Sequence, residues 1–414
     1  MSTTLPSPPP SRLVGHLGQW GTNPLGVLEK GAQAARAHDV STFELKLWRR
    51  AVVGYSPEWN RGVLGDLETF RSRGGLSELS PYLNSGIVQT DAPEHRPQRK
   101  ILNPGFTKSA MSDLQTGMAT AVERNLPSGD FDAIEWSSTV VRAVLSSTFL
   151  GEDFIDPVLD RWLGPMEAPL PLPFLPRPIR FRAMNARLEA ALADPPPGSL
   201  AQTFAAHGGL PEMRVALAAG YDTTAHTLAW LLTHAAQDPS LLDPARHDCA
   251  IKETLRLYPA GWTGSRRANK DVRVDGVDIR KDDLVLYSPY LTHRDPDLWD
   301  SPTAYLPQRF DTGRAPAWGY VPFAAGERTC LGRHYAHLLM RTVLEALNGR
   351  ELTFIDGDLS PRAGVTLKPA GPLHLHLSNP DRSHAHRSRP HLSAPHHEQT
   401  ERSVRLRSTP EGAS

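Results

Sequence analysis

The segment "GYVPFAAGERTCLGRHYAHLLM" holds the residues of this sequence whose types and spacing most clearly indicate chemistry. Within it, Cys330, one of only two cysteines among 414 residues, stands between Gly326 and Gly332. Glycines at these places let the backbone approach a flat, bulky group and leave amide N–H groups free to point at the sulfur. Apolar residues from Tyr335 onward predict a helix, whose N-terminal dipole favours a thiolate. The segment therefore predicts a sulfur that is poised as an anion.

Four roles are open to such a cysteine. A free cysteine is most often a small buried hydrophobe. A nucleophilic thiolate would need a base, and the Cys-x-x-x-His spacing to His334 on one helix matches no known protease or transferase signature. A zinc site would need further ligands, whereas Cys249 is isolated. An axial thiolate on a haem iron needs one cysteine, hydrogen-bond donors near the sulfur and cations for the propionates, and the sequence offers these parts.

A second group of polar residues interrupts the apolar helical pattern of "VALAAGYDTTAHTLAW". Ala219 and Gly220 are small enough to leave a notch in the helix surface. Asp222, Thr223 and Thr224 follow, and threonine hydroxyls can bond back to the helix and bend it. Taken alone, such a stretch is more typical of a helix start capped by Asp or Thr.

Two charged pairs lie at helical spacing. Glu253 and Arg256 in "KETLRLYP" are three residues apart and can pair on one helix face. If exposed, that pair contributes only about 0.3–0.5 kcal/mol, and if buried it must be fully paired. His95 and Arg99 in "DAPEHRPQRK" are one helical turn apart, so both can reach one anionic group. A solvated surface is the simpler interpretation of the second pair in isolation.

The segment around the cysteine resembles the cytochrome P450 family. Its residues "FAAGERTCLG" fill every specified position of the family's haem-binding signature, Phe-x-x-Gly-x-Arg-x-Cys-x-Gly. The resemblance implies that Cys330 is the proximal iron ligand of haem b (iron protoporphyrin IX). It also implies that Phe323 packs beside the sulfur, that Arg328 pairs with a haem propionate and that Gly332 belongs to the cofactor-binding loop.

The remaining groups fit the same family. The stretch Ala-Gly-x-Asp-Thr is similar to its oxygen-activating motif, which implies that Ala219 and Gly220 border bound dioxygen. On this resemblance, Thr223 hydrogen-bonds the oxygen on the iron and Asp222 relays protons.

Further residues match family elements that hold the cofactor or the core. The His-x-x-x-Arg pair of His95 and Arg99 looks like the element that binds a propionate, and Arg266 looks like another propionate partner. His293 falls in a turn that resembles a family loop, and no catalytic role is expected for it.

A structural triad is also implied. Glu253 and Arg256 resemble the Glu-x-x-Arg element, and Arg309 in "YLPQRF" occupies the place of its third partner. The triad is expected to fix the core beneath the haem and to take no part in catalysis.

The sequence predicts a mainly α protein with small antiparallel β-sheets, and the resemblance implies the single-domain cytochrome P450 fold, a helical bundle around the haem. Apolar spacing predicts helices in "DLQTGMATAVERNL", "WSSTVVRAVLSSTFL", "PEMRVALAAGYDTTAHTLAWLLTHAA", "HDCAIKETLRLY" and "HYAHLLMRTVLEAL". Alternation predicts strands in "DVRVDGVDI", "DLVLYS", "GVTLKP" and "PLHLHLS". Residues 1–20 are expected to be a flexible Pro-rich arm, 21–378 the haem domain and 379–414 a disordered tail.

Composition narrows the function classes. Lysine plus arginine and aspartate plus glutamate both total 45, so no charge excess indicates a nucleic-acid partner. Two distant cysteines favour a reducing, cytoplasmic setting over a disulfide framework. No run of about 18 uncharged apolar residues occurs, so the protein is expected to be soluble and without a membrane anchor.

Two segments depart from the family pattern. The chain between "PLPLPFLPRP" and the oxygen-motif helix is short, with "ADPPPGS" where a long helix is expected to continue. The link from His234 to Ile251 is also short. We therefore expect a reduced or rebuilt lid over the substrate and trimmed connecting helices.

The resemblance implies a haem-thiolate monooxygenase, a monomer that takes electrons from NAD(P)H through a separate ferredoxin and reductase. A role in bacterial natural-product (secondary metabolite) biosynthesis and a small lipophilic substrate are expected. The alternatives are a haem-thiolate isomerase or dehydratase and a non-catalytic haem sensor. Family analogy predicts that the pocket is lined by residues 74–89, by Met213, Leu217 and Ala218, and by residues 260–264 and 370–372.

Overall fold

The computed structural model describes residues 5–168 and 172–378, and within these ranges the chain forms fourteen α-helices. They are α1 (Leu17–Thr22), α2 (Pro24–Arg36), α3 (Pro57–Gly65), α4 (His95–Leu102), α5 (Lys108–Ser112), α6 (Gln115–Arg124), α7 (Ala133–Leu150), α8 (Pro157–Leu163), α9 (Pro178–Ala193), α10 (Leu200–His207), α11 (Gly209–Gln237), α12 (His247–Leu257), α13 (Pro289–Thr292) and α14 (Arg333–Leu347). The predicted disordered tail, residues 379–414, lies outside the described residues.

The same described ranges contain twelve strands in four sheets. They are β1 (Thr42–Lys46), β2 (Arg50–Gly54), β3 (Phe70–Arg71), β4 (Gly129–Asp132), β5 (Gly264–Ala268), β6 (Val272–Val274), β7 (Val277–Ile279), β8 (Leu284–Tyr287), β9 (Glu351–Gly357), β10 (Pro361–Ala363), β11 (Leu367–Pro369) and β12 (Leu373–Ser378).

All five predicted helices are confirmed, as α6, α7, α11, α12 and α14. The longest of them, α11, has 29 residues and is buried along most of its length, as expected for a helix that is apolar on nearly every side. It begins after Gly208, whose φ of 152° favours glycine, and ends at Gln237, with Asp238 as its C-cap just before Pro239. Helix α7 packs against it and forms the other central member of the helical core.

The predicted strands are also present, and one feature differs from the expected antiparallel sheets. The hairpin β6–β7 turns at Asp275 and Gly276, which both have positive φ, as a two-residue hairpin turn requires. In the five-stranded sheet, ordered β1-β2-β8-β5-β3, the pair β2 and β8 is parallel. These two strands are more than 200 residues apart in sequence, so no local pattern could indicate their pairing.

The shortened segments have clear structural counterparts. Helix α9 stops at the proline-rich stretch after Ala193, because proline cannot continue a helix, and only the eight-residue α10 precedes α11. Between α11 and α12 the chain, described throughout, makes two 3-10 turns, Pro239–Leu242 and Pro244–Arg246, and no α-helix. The short link that the sequence shows between these helices therefore consists of 3-10 turns.

The predicted N-terminal arm is bound to the sheet over its described part. His16 is fully buried, its Nε2 lies 2.8 Å from the Pro8 carbonyl oxygen, and its Nδ1 accepts a hydrogen bond from the Lys46 backbone N–H at 2.9 Å. The Glu44 N–H donates to the Pro6 carbonyl at 2.9 Å. A buried histidine that binds two backbone groups holds residues 6–16 against β1, a contact that the Pro/Ser-rich composition did not indicate.

Candidate active site

A cavity of about 800 Å³ lies between α4, α11, α14, β5 and the loop that follows β3. Its lining is mostly apolar, and Leu76, Leu83 and Val88 come from that loop. Cavities of this size and character bind small organic molecules or cofactors. The cysteine segment supplies the lining residues between Pro322 and Met340, which we call the cysteine wall.

Tight backbone geometry shapes the cysteine wall. The Cys330 N–H donates to the Phe323 carbonyl at 2.8 Å, which closes the loop. At Gly326, φ is 66° and an added Cβ would lie 2.6 Å from the Leu64 carbonyl oxygen, so only glycine fits there. At Gly332, an added Cβ would meet nothing within 4 Å, and this glycine lines the cavity just before α14 begins. The loop thus holds the sulfur beside open space at a helix N-terminus.

The Cys330 side chain is exposed, and the space that it faces is this cavity, deep in the protein, rather than bulk water. Burial raises the pKa of the Cys330 thiol, while the hydrogen bond from the Gly332 N–H and the charges of Arg99 and Arg333 lower it by less. Without a bound metal, desolvation of the thiolate is therefore the largest influence on the ionisation of this sulfur. A bound metal cation would supply the missing stabilisation.

Basic side chains, three of them arginines, gather at one edge of the cavity. His95, Arg99, Arg266 and Arg328 all line it, as the sequence predicts. His95 is 2% exposed, and its Nδ1 has no hydrogen-bond partner. Burial, with the charges of the three arginines, lowers the pKa of His95 to about 4. A concentration of positive charge with an unpartnered buried donor fits an anionic group, and the two propionates of a haem are such groups.

Arg328 has a carboxylate partner that the sequence analysis missed. Its Nη2 donates to Asp91 Oδ1 at 2.7 Å and to the Thr90 carbonyl at 2.8 Å, while its buried Nε has no partner. Burial first, and then the charge of Arg266, lower the pKa of Arg328 to about 10, and Asp91 opposes this shift. The placement of Asp91 four residues before His95 was the available signal. The unpartnered Nε of Arg328 remains available to the anion that the site would bind.

The other two arginines have neutral partners. Arg99 Nε donates to Asn103 Oδ1 at 2.7 Å, and Arg266 Nη1 donates to the Ser265 carbonyl at 2.7 Å. The Arg266 guanidinium also lies over the Tyr287 ring, 5.5 Å from its centroid. Neither of these arginines forms a salt bridge with another described residue.

The oxygen-motif residues separate onto two sides of α11. Thr223, Ala219 and Gly220 line the cavity, and the Thr223 hydroxyl donates to the Ala219 carbonyl at 2.6 Å. Asp222, which is 2% exposed, is not among the lining residues, and its Oδ2 accepts a hydrogen bond of 2.7 Å from the Thr366 hydroxyl. The acid and the alcohol are therefore sequence neighbours that face different surroundings.

The predicted triad is assembled in the core. Arg256 Nε and Nη2 donate to the two oxygens of Glu253 at 2.7 and 2.8 Å, and both side chains are fully buried. Arg309 Nε donates to Glu253 Oε1 at 3.0 Å. Arg256 also donates to the carbonyls of His293, Pro302 and Ala304, so its donors are well used. A buried ion pair satisfied in this way fixes the path of the chain between α12 and the cysteine wall.

His293 has a structural role that the sequence analysis did not assign. Its Nδ1 donates to the Arg256 carbonyl at 3.0 Å, because its Nε2 must accept from the Val321 N–H at 2.8 Å. Complete burial, with the charge of Arg256, lowers the pKa of His293 to about 3, so the ring is neutral. This imidazole connects α12 directly to the start of the cysteine wall.

The other walls of the cavity match the predicted lining only in part. Residues 260–264 and seven residues of the loop 74–89 line it. Met213, Leu217 and Ala218 do not, because they lie on the opposite face of α11, fully buried in the core. Glu212, Val215 and Ala216 line the cavity instead, in register with Ala219. Gly364 and Val365 replace the predicted turn 370–372, and Trp20, Pro24 and Trp48 from the N-terminal region were not predicted.

Comparisons with known proteins give matches to cytochromes P450 and to hydroxylases. The model of the family described as Cytochrome P450 matches residues 247–347, which include Glu253, Arg309 and Cys330. "Sterol 26-hydroxylase, mitochondrial" from Homo sapiens is 34% identical over 197 residues, which are 40% of this chain and 36% of that protein. "Flavonoid-6-hydroxylase" from Mentha piperita is 30% identical over 193 residues, which are 38% of this chain and 37% of that protein.

Longer matches extend the similarity over most of the chain. "Putative cytochrome P450 139" from Mycobacterium tuberculosis is 26% identical over 360 residues, which are 71% of this chain and 84% of that protein. The solved structure "Retinoic acid bound cyanobacterial CYP120A1" has a TM-score of 0.76 at 22% identity and covers 91% of this chain and 100% of that one. At that identity the structural match shows the fold.

The fold and the site define a haem-thiolate protein. The chain matches the model of the cytochrome P450 family over residues 247–347, and members of that family bind iron protoporphyrin IX. The residues present fit that cofactor, since a cavity-facing cysteine at a helix N-terminus and unpartnered donors at the cationic edge match its iron and its two propionates. Among the described residues, no helix is both long and apolar enough to span a bilayer.

Proposed function

We propose that this protein is a monooxygenase that inserts one oxygen atom from O2 into a lipophilic organic substrate, by hydroxylation or epoxidation. The observation that carries the proposal is that Cys330 and Thr223, which belong to different elements, line one apolar cavity. Cationic residues at its edge would hold the propionates of the haem. When bound, the haem supplies the oxygen chemistry, and its thiolate ligand favours cleavage of the O–O bond.

The protein's own groups would bind, orient and supply protons. Cys330 would hold the iron, and His95, Arg99, Arg266 and Arg328 would orient the cofactor through charge-assisted hydrogen bonds. Apolar walls exclude water from the reacting atoms, which keeps reactive species away from solvent.

Proton supply would depend on neighbouring residues of α11. Thr223 would hold a proton at Oγ1 on the cavity side, while Asp222 would carry protons from the opposite side of the helix. Ala219 and Gly220, which border the same part of the cavity, leave room for dioxygen.

The apolar lining supports a lipophilic substrate. The names of three similar proteins mention a sterol, a flavonoid and retinoic acid, which are bulky and largely apolar compounds. We place the substrate of this protein among terpenoid, polyketide or aromatic intermediates of bacterial natural-product biosynthesis. The short segment around α9 and α10 is consistent with a rebuilt entrance, since Trp20 and Trp48 line the cavity as well.

Electrons would come from NAD(P)H through a ferredoxin reductase and a ferredoxin that docks on a monomeric, cytoplasmic enzyme. Lys100, Lys108 and Arg333 are exposed on and near α4, α5 and α14, and cations there suit an acidic partner. Arg341, which also lies on α14, is bound to Asp248 and so contributes less.

The test is product formation from 18O-labelled O2. We expect compounds that shift the haem from low to high spin to be converted into products that contain one 18O atom, with NAD(P)H and ferredoxin required. Thr223→Ala should lower the yield of product per NAD(P)H by about ten-fold or more. Conversion without NAD(P)H would indicate an isomerase or dehydratase, and no conversion of any spin-shifting compound would favour a sensor.

A further inference from the structure

Behind α11, on the side away from the cavity, three buried polar side chains form a network, and the proposed chemistry has used only one of them, Asp222. They are Asp222 and His226, one helical turn apart, and Thr366, which directly precedes β11. Their exposures are 2%, 3% and 3%. Burying polar groups costs free energy unless they are hydrogen-bonded to one another. A buried polar network is therefore a candidate for a functional role.

The donor and the acceptor in each hydrogen bond follow from the number of hydrogens that each side chain carries. The Thr366 hydroxyl donates its single hydrogen to Asp222 Oδ2 at 2.7 Å. His226 Nδ1 lies 2.8 Å from the same Thr366 oxygen, so the histidine must be the donor and carries its proton at Nδ1. His226 thus sets the orientation of the Thr366 hydroxyl, and that hydroxyl sets the orientation of the carboxylate.

The second oxygen of the carboxylate is free. Asp222 Oδ1 is buried and has no hydrogen-bond partner, and its distance from His226 Nδ1 is 3.5 Å. Two further charged side chains, Lys368 and Glu167, act on Asp222, and Lys368 Nζ donates to the Glu167 carbonyl at 3.2 Å. The carboxylate is therefore held by a neutral hydroxyl, and one oxygen retains its capacity to accept a proton.

We propose that Thr366, itself oriented by His226, is a positioning residue for proton delivery by Asp222. The bond to Oδ2 fixes the carboxylate, so that Oδ1 takes up a proton that originates from solvent water and passes it toward Thr223, which restores the carboxylate. Thr366 does not contact the cofactor or the substrate. The inference rests on the proposed function, in which Asp222 supplies protons.

Hydrogen peroxide gives an assay that needs neither the natural substrate nor redox partners. The haem-loaded full-length protein is mixed with hydrogen peroxide and 2-methoxyphenol as the probe, in H2O and in D2O. Productive use of peroxide requires a proton to move between its two oxygens. We expect Thr366→Val to slow probe oxidation about ten-fold and to increase the solvent isotope effect, because proton transfer becomes limiting.

Two further variants make the comparison specific. Thr366→Ser keeps the hydroxyl and should remain within about two-fold of the parent rate, since the bond to Asp222 is preserved. Thr233→Val removes another buried hydroxyl of α11, one that donates to the Ala229 carbonyl, and should change neither the rate nor the isotope effect. Nitrogen-15 NMR of the reduced, carbon monoxide-bound protein should show His226 protonated at Nδ1, and Thr366→Val should alter that signal.

The outcomes separate this inference from the proposed function. If Asp222→Asn slows the reaction and Thr366→Val leaves rate and isotope effect unchanged, the inference is overturned and the proton role of Asp222 stands. If neither variant has an effect, both fail. If the Thr366→Val protein loses haem, or if the absorbance of its haem shifts, the hydroxyl is structural and the inference is overturned as well.

Discussion

On the cysteine wall, Phe323, Arg328 and Cys330 come from one ten-residue segment, whereas the rest of the cavity lining is gathered from segments as distant as Trp20 and Val365. The cysteine wall is braced by buried hydrogen bonds from α12 and His293. The remaining lining, which we call the composite wall, consists mostly of apolar side chains and comes from segments that include the N-terminal region, loop 74–89, α11 and the turn before β11. The contrast indicates that chemistry depends on a short rigid motif, while selectivity depends on long-range packing.

Removing the buried charge pair that braces the cysteine wall should have the largest effect. Arg256→Met leaves the Glu253 carboxylate buried without its main partner, and we expect a loss of about 3–5 kcal/mol in the free energy of unfolding. Urea denaturation measures it. As a control, Arg273→Met breaks the exposed pair with Asp278 and should cost at most about 1 kcal/mol. Equal effects of the two variants would remove the distinction between the braced core and the surface.

Acid should weaken the connection that His293 makes to the cysteine wall. Its pKa of about 3 in the folded protein lies below the ordinary value of 6.5, so between these values the unfolded chain binds a proton and the folded chain does not. Stability therefore falls as the pH decreases through this range. From pH 7 to pH 5, His293 should account for a loss of about 2 kcal/mol in the free energy of unfolding.

The variant His293→Gln isolates that contribution. It is expected to be less stable than the parent protein at both pH values. The decrease in its free energy of unfolding from pH 7 to pH 5, however, should be about 2 kcal/mol smaller than the decrease in the parent protein. Denaturant titrations at the two pH values give the difference. Equal losses in the two proteins would mean that this imidazole takes up a proton in the folded state.

Helix α11 allows the composite wall to be tested against the core, because its two faces differ. Val215→Phe fills part of the cavity. It should lower the affinity for substrates that shift the haem spin state about ten-fold, with little change in the free energy of unfolding. Leu217→Phe overpacks the buried face and should cost about 1–3 kcal/mol, with substrate affinity retained. Substrate titration and thermal unfolding of both variants check the assignment, and a reversed pattern would contradict it.

The smallest effect is expected at the edge of the composite wall. Trp48 is 47% exposed and lines the cavity from the turn between β1 and β2. Trp48→Ala should change substrate affinity by about two- to three-fold, because only part of the ring contacts the cavity, and should leave haem binding unchanged. A change in the haem absorbance itself would show that this residue reaches the cofactor.

The same contrast explains what could be predicted from sequence. The cysteine wall, the triad and the helices were predictable, since each is a local pattern: a signature around Cys330, a spacing between Glu253 and Arg256, or a 3.6-residue period. The partner of Arg328 and the parallel pairing of β2 with β8 depend on contacts between distant segments, which one sequence does not reveal.

Two expectations failed for physical reasons. Met213, Leu217 and Ala218 were assigned to the cavity, although a fully apolar helix gives no indication of which face meets a core and which meets a pocket. The turn 370–372 was also assigned to the cavity, whereas Gly364 and Val365 line it instead. Both errors concern surroundings supplied by other parts of the chain.

The most direct measurement is the absorbance spectrum of the reduced, carbon monoxide-bound protein. If the Cys330 sulfur binds the haem iron as a thiolate, the Soret band is strongly red-shifted, and Cys330→Ala abolishes that shift while Cys249→Ala preserves it. A Soret band at the position found with a histidine or neutral ligand, or an unchanged spectrum in Cys330→Ala, would contradict the account.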